Sequence, residues 1–271
     1  MSDALVVRSA IAPLNAEPTL RSEQVSQLLA GHSVEHIADQ GAWLRVRAAD
    51  GYEGWVNRGY LFDDSVRDAA ARFSARRLSL GCIIRESGAQ AHALPLGAFA
   101  PDDAAVESGR ALTPDELPRR FPREPDAIAS SALSLFAGTP YEWGGITPWG
   151  ADCSGFVQAT FGLHGVALPR DARQQAESGT LVEGGLSALH PADLLFFSER
   201  ADLRITHVAI ALSSTSMVHL ALGRGGYSVD QISPPGDDYV AELMGRVVGV
   251  RRYVSSPTHL PRDSSRSGHG A

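Results

Sequence analysis

The sequence predicts an α+β chain: small all-β modules first, then a larger domain in which helices lead into an antiparallel sheet. Three observations carry this. Apolar and charged residues alternate with period two in Trp43-Leu44-Arg45-Val46-Arg47. After Asp126 the apolar spacing becomes helical, with Ile128, Ala132, Leu135 and Phe136 on one face. Beyond Ile205 the alternation returns, through Thr206-His207-Val208-Ala209-Ile210-Ala211 and again in Ser216–Leu220.

Residues 1–64 read as short strands, and Asp50-Gly51 turns the Trp43 strand back into Gly54-Trp55-Val56, forming a half-buried barrel or sheet. Residues 65–111 have similar character, with Leu80–Ile84 and His92–Leu96 as candidate strands. Four prolines in Thr113-Pro114-Asp115-Glu116-Leu117-Pro118-Arg119-Arg120-Phe121-Pro122-Arg123-Glu124-Pro125 mark 112–125 as a linker. Residues 126–254 form the main domain, opened by a helix that Asp126 caps and Gly138 ends. From 255 to 271, Ser, Pro, Gly and His without periodicity predict a disordered tail.

The chain has 24 basic and 31 acidic residues, for a net charge of −7, which argues against nucleic acid or an anionic membrane as a partner. All 24 basic residues are arginine. Schiff-base chemistry and a P-loop phosphate clamp both need a lysine amine, so both are excluded. No apolar run approaches the ~20 residues that span a bilayer. The start lacks the basic segment and apolar run of a signal peptide, which predicts a cytoplasmic protein. Cys82 and Cys153 are the only cysteines and neither sits in CxxC, so no metal and no cofactor is expected.

Cys82 lies inside the apolar run Leu80-Gly81-Cys82-Ile83-Ile84 and reads as core. Cys153 follows a Gly/Pro-rich loop where a helix should start, with Asp152 as its cap and Phe156, Val157, Thr160 and Phe161 as its buried stripe. A helix N-terminus favours a thiolate and offers N–H groups to an oxyanion. Such a nucleophile needs a proton carrier, usually histidine. His207 and His219 lie at mirror positions about residue 213, so a hairpin centred there brings the imidazoles together.

These residues sit in blocks that resemble the NlpC/P60 cysteine peptidases, which hydrolyse bacterial peptidoglycan peptides. The blocks are Gly138–Gly145, Asp152–Val157, Leu168-Pro169-Arg170, Asp193–Phe197, Ile205–Val208 and Met217-Val218-His219. The resemblance implies a papain-like fold, with Cys153 as nucleophile, His207 as general base and His219 as the residue that orients it. Ala192 departs from the family's usual glycine. Trp43–Val46 and Gly51–Val56 look like a bacterial SH3 domain, and 65–111 like a second, divergent one.

That arrangement is similar to the γ-D-glutamyl-L-diamino acid endopeptidases of murein recycling. It implies hydrolysis of small peptides with a free N-terminal L-alanine, and no membrane or nucleic-acid partner. The alternatives are an endopeptidase or amidase acting on polymeric or muramyl-capped peptidoglycan, and a non-catalytic binding module. An ammonium group needs carboxylate and hydroxyl acceptors. By resemblance Asp152 and Ser154 line its pocket, with Tyr52 and either Glu17 or Glu23 from the SH3 domain. Tyr141 is expected to face the cleft near Cys153 and hold the oxyanion with the Cys153 N–H, and Arg170 to pair with a substrate carboxylate.

Overall fold

The structure, a computed structural model, describes residues 4–62 and 66–255. The tail expected over 255–271 therefore lies outside the described residues, Ser255 excepted.

Strands β1 (Ala4–Val6), β2 (Ile11–Asn15), β3 (Gln24–Leu29), β4 (Ser33–Gln40), β5 (Trp43–Arg47) and β6 (Glu53–Asn57) form one antiparallel sheet in the order β1-β4-β5-β6-β2-β3. The path is open at β1 and β3, so of the two forms expected the module takes the open, SH3-like sheet. The alternation in β5 does what it predicts. Leu44 and Val46 are buried opposite Val56 and Gly54, while Arg47 stays outside and pairs with Glu35 and Glu53.

Helix α1 (Val66–Ala71) interrupts what the sequence presents as an all-β second module. Strands β7 (Arg77–Arg85), β8 (His92–Ala100), β9 (Ala105–Ser108) and β10 (Ala111–Leu112) follow, with β7 pairing all three others. Cys82 is buried in this module's core, as its apolar neighbours predict.

The proline-rich segment is shorter on helix than an ordinary element but is no free tether. It holds α2 (Leu117–Arg120), and Phe121 is buried in the core of the main domain against His164. Helix α3 (Pro125–Leu135) starts on Pro125, with Glu124 at the cap position, so Asp126 sits in the first turn instead of capping it.

The main domain continues with the two-residue strands β11 (Ile146–Thr147) and β12 (Gly150–Ala151), helix α4 (Cys153–Leu163), helix α5 (Ala172–Glu177) and strand β13 (Thr180–Leu181). Strands β14 (Leu194–Phe197), β15 (His207–Ala211), β16 (Ser216–Ala221) and β17 (Gly226–Gln231), helix α6 (Asp238–Met244) and strand β18 (Val247–Arg252) complete it. The sheet order is β13-β18-β14-β15-β16-β17. Period two divides its side chains between two cores. Phe196, Val208, Ile210, Val218 and Leu220 pack with Phe156, Val157 and Phe161 of α4. Phe197, Ala209, Ala211 and Met217 pack with Val240 and Leu243 of α6. Ala192 has φ +64°, in the left-handed region, where a glycine would carry no Cβ penalty.

The N-terminal sheet is fastened to this domain through β3. Gln24 donates to the Trp143 carbonyl at 2.9 Å, and Gln27 bridges Glu142 and the Ile146 N–H at 3.0 and 3.1 Å. Gly144, at φ +76°, passes so close that a Cβ there would lie 2.6 Å from the Gln24 carbonyl oxygen. A side chain at 144 would push the two domains apart.

Candidate active site

Asp152 caps α4 as expected, accepting from the Gly155 N–H at 2.7 Å. Cys153 is therefore the first helical residue, buried beside the start of β15, where the Val208 N–H points at its thiol. The cap does more than end a helix. Its two carboxylate oxygens also accept from the Gly144 N–H (2.9 Å), the Ser154 hydroxyl (3.2 Å) and the Arg170 guanidinium (3.0 and 2.6 Å). Arg170 is 2% exposed and gives two further N–H groups to Ser154 and to Ser26 of β3, at 2.9 and 3.1 Å.

Arg170 and Asp152 direct most of their bonding at each other. Arg170 is a buried brace between the domains, with four of its five N–H groups bound to Asp152, Ser154 and Ser26. Asp152 and Ser154 do line the cleft, but five hydrogen bonds saturate a carboxylate that offers about four lone-pair sites. The Ser154 hydroxyl donates to Asp152 and accepts from Arg170, which leaves one of its two lone pairs for a further donor.

The histidines meet, though by a different register. Ile210 pairs with Val218 and Ala211 with Met217, so the hairpin is centred at 214, one residue beyond the expected 213. His207 and His219 are consequently diagonal neighbours on one face, and long rings bridge that offset. His207 Nε2 lies 2.8 Å from His219 Nδ1. His219 is fully buried, and its Nε2 lies 2.8 Å from Asp230 Oδ2 on β17. Asp230 in turn pairs with Arg224 and accepts from the Ser228 hydroxyl. Sequence reasoning missed Asp230; the signal available was its period-two spacing from Ser228 in a strand-like run.

The electrostatics also differ from the expectation of a preformed thiolate. Burial, then the neighbouring Asp152 charge, pushes the Cys153 thiol up to about 12. Burial, then the neighbouring His219 ring, lowers His207 to about 3. The helix N-terminus and the N–H groups favour the anion, but removing the sulfur from water outweighs them. Both shifts favour the uncharged forms, a neutral thiol and a neutral imidazole, in the free protein. Iodoacetamide labelling of Cys153 is expected to accelerate steadily from pH 7 to above pH 10. A rate plateau between pH 5 and 8 would instead show a standing thiolate–imidazolium pair.

A cleft of about 470 Å³ opens over Cys153. The N-terminal sheet contributes Glu23 and Tyr52 to its wall; the main domain contributes Tyr141, Trp143, Asp171 and Thr206, the residue before His207. Tyr52 donates to Asp171 at 3.2 Å, and Trp143 to Glu23 at 2.7 Å. Burial and then the Asp171 charge push the Tyr52 phenol up to about 12, so it remains a donor. Tyr141 is shifted upward by burial and by its closeness to Cys153, in agreement with a place beside the nucleophile. Glu17 is exposed and does not line the cleft. Arg173 and Arg204 also line it and make no ion pair among the described residues.

Comparison with known proteins finds similarity over both the N-terminal sheet and the main domain. The pattern of the NlpC/P60 family matches residues 138–244, and that of the bacterial SH3 domain residues 5–62. The second module, 65–111, falls outside both matches. The chain is 29% identical to dipeptidyl-peptidase 6 of Lysinibacillus sphaericus, over 90% of this chain and 97% of that protein. It is equally 29% identical to the gamma-D-glutamyl-L-lysine dipeptidyl-peptidase of Bacillus subtilis, over 85% and 81%. Its fold is similar to the crystal structure of an NlpC/P60 family protein from Bacillus cereus, with TM-score 0.74 at 18% identity, covering 93% of this chain and all of that one.

Proposed function

Given that this chain carries an NlpC/P60 cysteine peptidase domain behind a bacterial SH3 domain, we propose that it hydrolyses the γ-D-glutamyl–diamino acid bond of small murein peptides with a free N-terminal L-alanine. The observation that carries this reading is the wall the N-terminal sheet builds across the cleft. Tyr52 and Glu23 stand there, with Asp171 held by Tyr52. Asp171 occupies the cap position of α5 without bonding its own helix, which leaves a carboxylate oxygen facing the cleft. Two carboxylates and a phenol match an ammonium group. Arg173 and Arg204 take the place first given to Arg170 as partners for substrate carboxylates.

Cys153 Sγ attacks the γ-carbonyl carbon while its proton passes to His207. The S–C bond forms, and the helix-start N–H of Cys153 and Tyr141 hold the oxyanion. Protonated His207 then gives its proton to the leaving amine as the C–N bond breaks. Water, deprotonated by His207, splits the thioester and releases L-alanyl-D-glutamate. A free amine is present on released peptides and absent from stems amide-linked to the glycan. The proposal therefore includes a recycling role in the cytoplasm, which cell fractionation tests.

Paired substrates separate this reading from an enzyme of polymeric wall. L-Ala-γ-D-Glu-diamino acid is expected to be cleaved at least 100-fold faster, by kcat/KM, than its N-acetylated form, because the cap removes the charge that Asp171 and Glu23 face. Asp171→Asn should narrow that ratio. Equal cleavage of both substrates sinks the free-amine requirement.

A further inference from the structure

We infer that Asp230 is a positioning residue that fixes the tautomers of both histidines, so that His207 meets the Cys153 thiol with a bare nitrogen. The inference rests on the reading of Cys153 as nucleophile and His207 as base.

The argument follows the hydrogen atoms from Asp230 outward. Its carboxylate is 8% exposed and receives Arg224 on both oxygens, at 3.1 and 3.3 Å, and the Ser228 hydroxyl at 3.0 Å. Burial favours its neutral form, but the bonds from His219, Ser228 and Arg224 outweigh burial and keep it ionised. An ionised carboxylate only accepts, so the 2.8 Å contact requires His219 Nε2 to carry hydrogen. A neutral His219 then has a bare Nδ1. That atom lies 2.8 Å from His207 Nε2, which must therefore donate. Neutral His207, with its hydrogen on Nε2, is left with Nδ1 as its basic atom.

One carboxylate on β17 thus decides the protonation of a ring two strands away. The same chain acts after proton transfer, since the imidazolium of His207 donates toward a His219 whose far side faces a negative charge. The charged and titratable groups around His219 are His207 from β15, Asp230 from β17 and Tyr239 from α6, whose ring centroid lies 6.5 Å away. Behind Asp230 stand Arg224, which also pairs with Asp237 at 2.7 Å, and Ser228. Arg224 is therefore the anchor that keeps the carboxylate aimed at His219.

The substitution that probes this is Asp230→Asn. Arg224 and Ser228 will hold its amide oxygen, which turns the NH₂ group toward His219 Nε2 and forces the hydrogen of His219 onto Nδ1. His207 must then flip its hydrogen to Nδ1 and present N–H to the thiol. With the γ-D-glutamyl tripeptide, kcat is expected to fall on the order of 10²–10⁴-fold with KM within threefold. The acid limb of the kcat/KM profile should move to lower pH, because the imidazolium has lost its counter-charge.

Nitrogen-15 NMR of the parent protein at pH 7 tests the tautomers without any substitution. Both histidines should be protonated at Nε2 and bare at Nδ1. Hydrogen on Nδ1 of His219, or an Asp230→Asn variant that keeps kcat within threefold and an unmoved acid limb, overturns the inference. A variant that loses activity only in proportion to its folded fraction also counts against it. If the parent cleaves no γ-D-glutamyl peptide while the NMR shows the expected tautomers, the substrate reading fails and the role of Asp230 stands.

Discussion

Cys153→Ala is expected to reduce hydrolysis of L-Ala-γ-D-Glu-diamino acid by about 10⁴-fold or more while leaving the protein folded. The thiol is the only nucleophilic sulfur at the cleft, since Cys82 is buried in the separate core around β7. Alanine retains the N1 position of α4, and the Asp152 cap bonds to the backbone and to Arg170, so the helix start survives the change. The lost sulfur removes one buried atom, a cost on the order of 1 kcal/mol. Product analysis by mass spectrometry and a melting curve on the same preparation check both halves. Residual activity within tenfold of the parent places the nucleophile elsewhere.

Arg170→Met is expected to have the largest effect on stability. The guanidinium and the Asp152 carboxylate are both buried, so the substitution leaves an unpaired negative charge at the start of α4 and removes the link to Ser26. Breaking one side of such a pair costs about 3–5 kcal/mol, which for a chain of this size is a fall in Tm of about 5–9 °C. Arg170→Lys should recover little, because a lysine amine cannot make the two parallel bonds to Asp152 or reach three partners at once. The stranded Asp152 charge also stands next to Cys153 and should raise the thiol further. Calorimetry with labelling at pH 8 measures both. A Tm within 2 °C of the parent means that the carboxylate finds other compensation.

The local features of the site were legible in the sequence because short-range physics governs them. Asp152 before an apolar helical stripe is a cap wherever it occurs, and that places Cys153 at the first helical position. Alternation in Ile205–Ala211 and Ser216–Leu220 is enough to bring His207 and His219 onto one face. The hairpin register was off by one at its centre, because serine-rich turns differ little in sequence and the packing of Met217 and Val218 on opposite cores selects among them.

What stayed hidden depends on distant partners. Arg170 after Pro169 reads as a partner for a substrate carboxylate, and only the arrival of β3, 144 residues earlier in the chain, covers it and supplies Ser26. Asp230 is one acid among 31, and nothing in its neighbours marks it until β17 pairs with β16 and carries it to His219. Helix-dipole reasoning predicts a lowered cysteine pKa; burial reverses it, and burial is a property of the packed domain. Helix α1 and the packing of Phe121 were missed for the same reason, since both are settled by surfaces from other parts of the chain.

The sequence by itself therefore determined the chemistry that is possible. A chain without lysine is closed to Schiff-base and P-loop chemistry, and one cysteine at a helix start with two histidines in one hairpin offers it a thiol and imidazoles. Tertiary structure decided how those groups are set: which carboxylate is saturated by Arg170, which one faces the cleft, and which one orders the protons on the histidines. The division follows range. Caps and periodicities act over a few residues, whereas the charge state and orientation of a buried group depend on every side chain that displaces water from it.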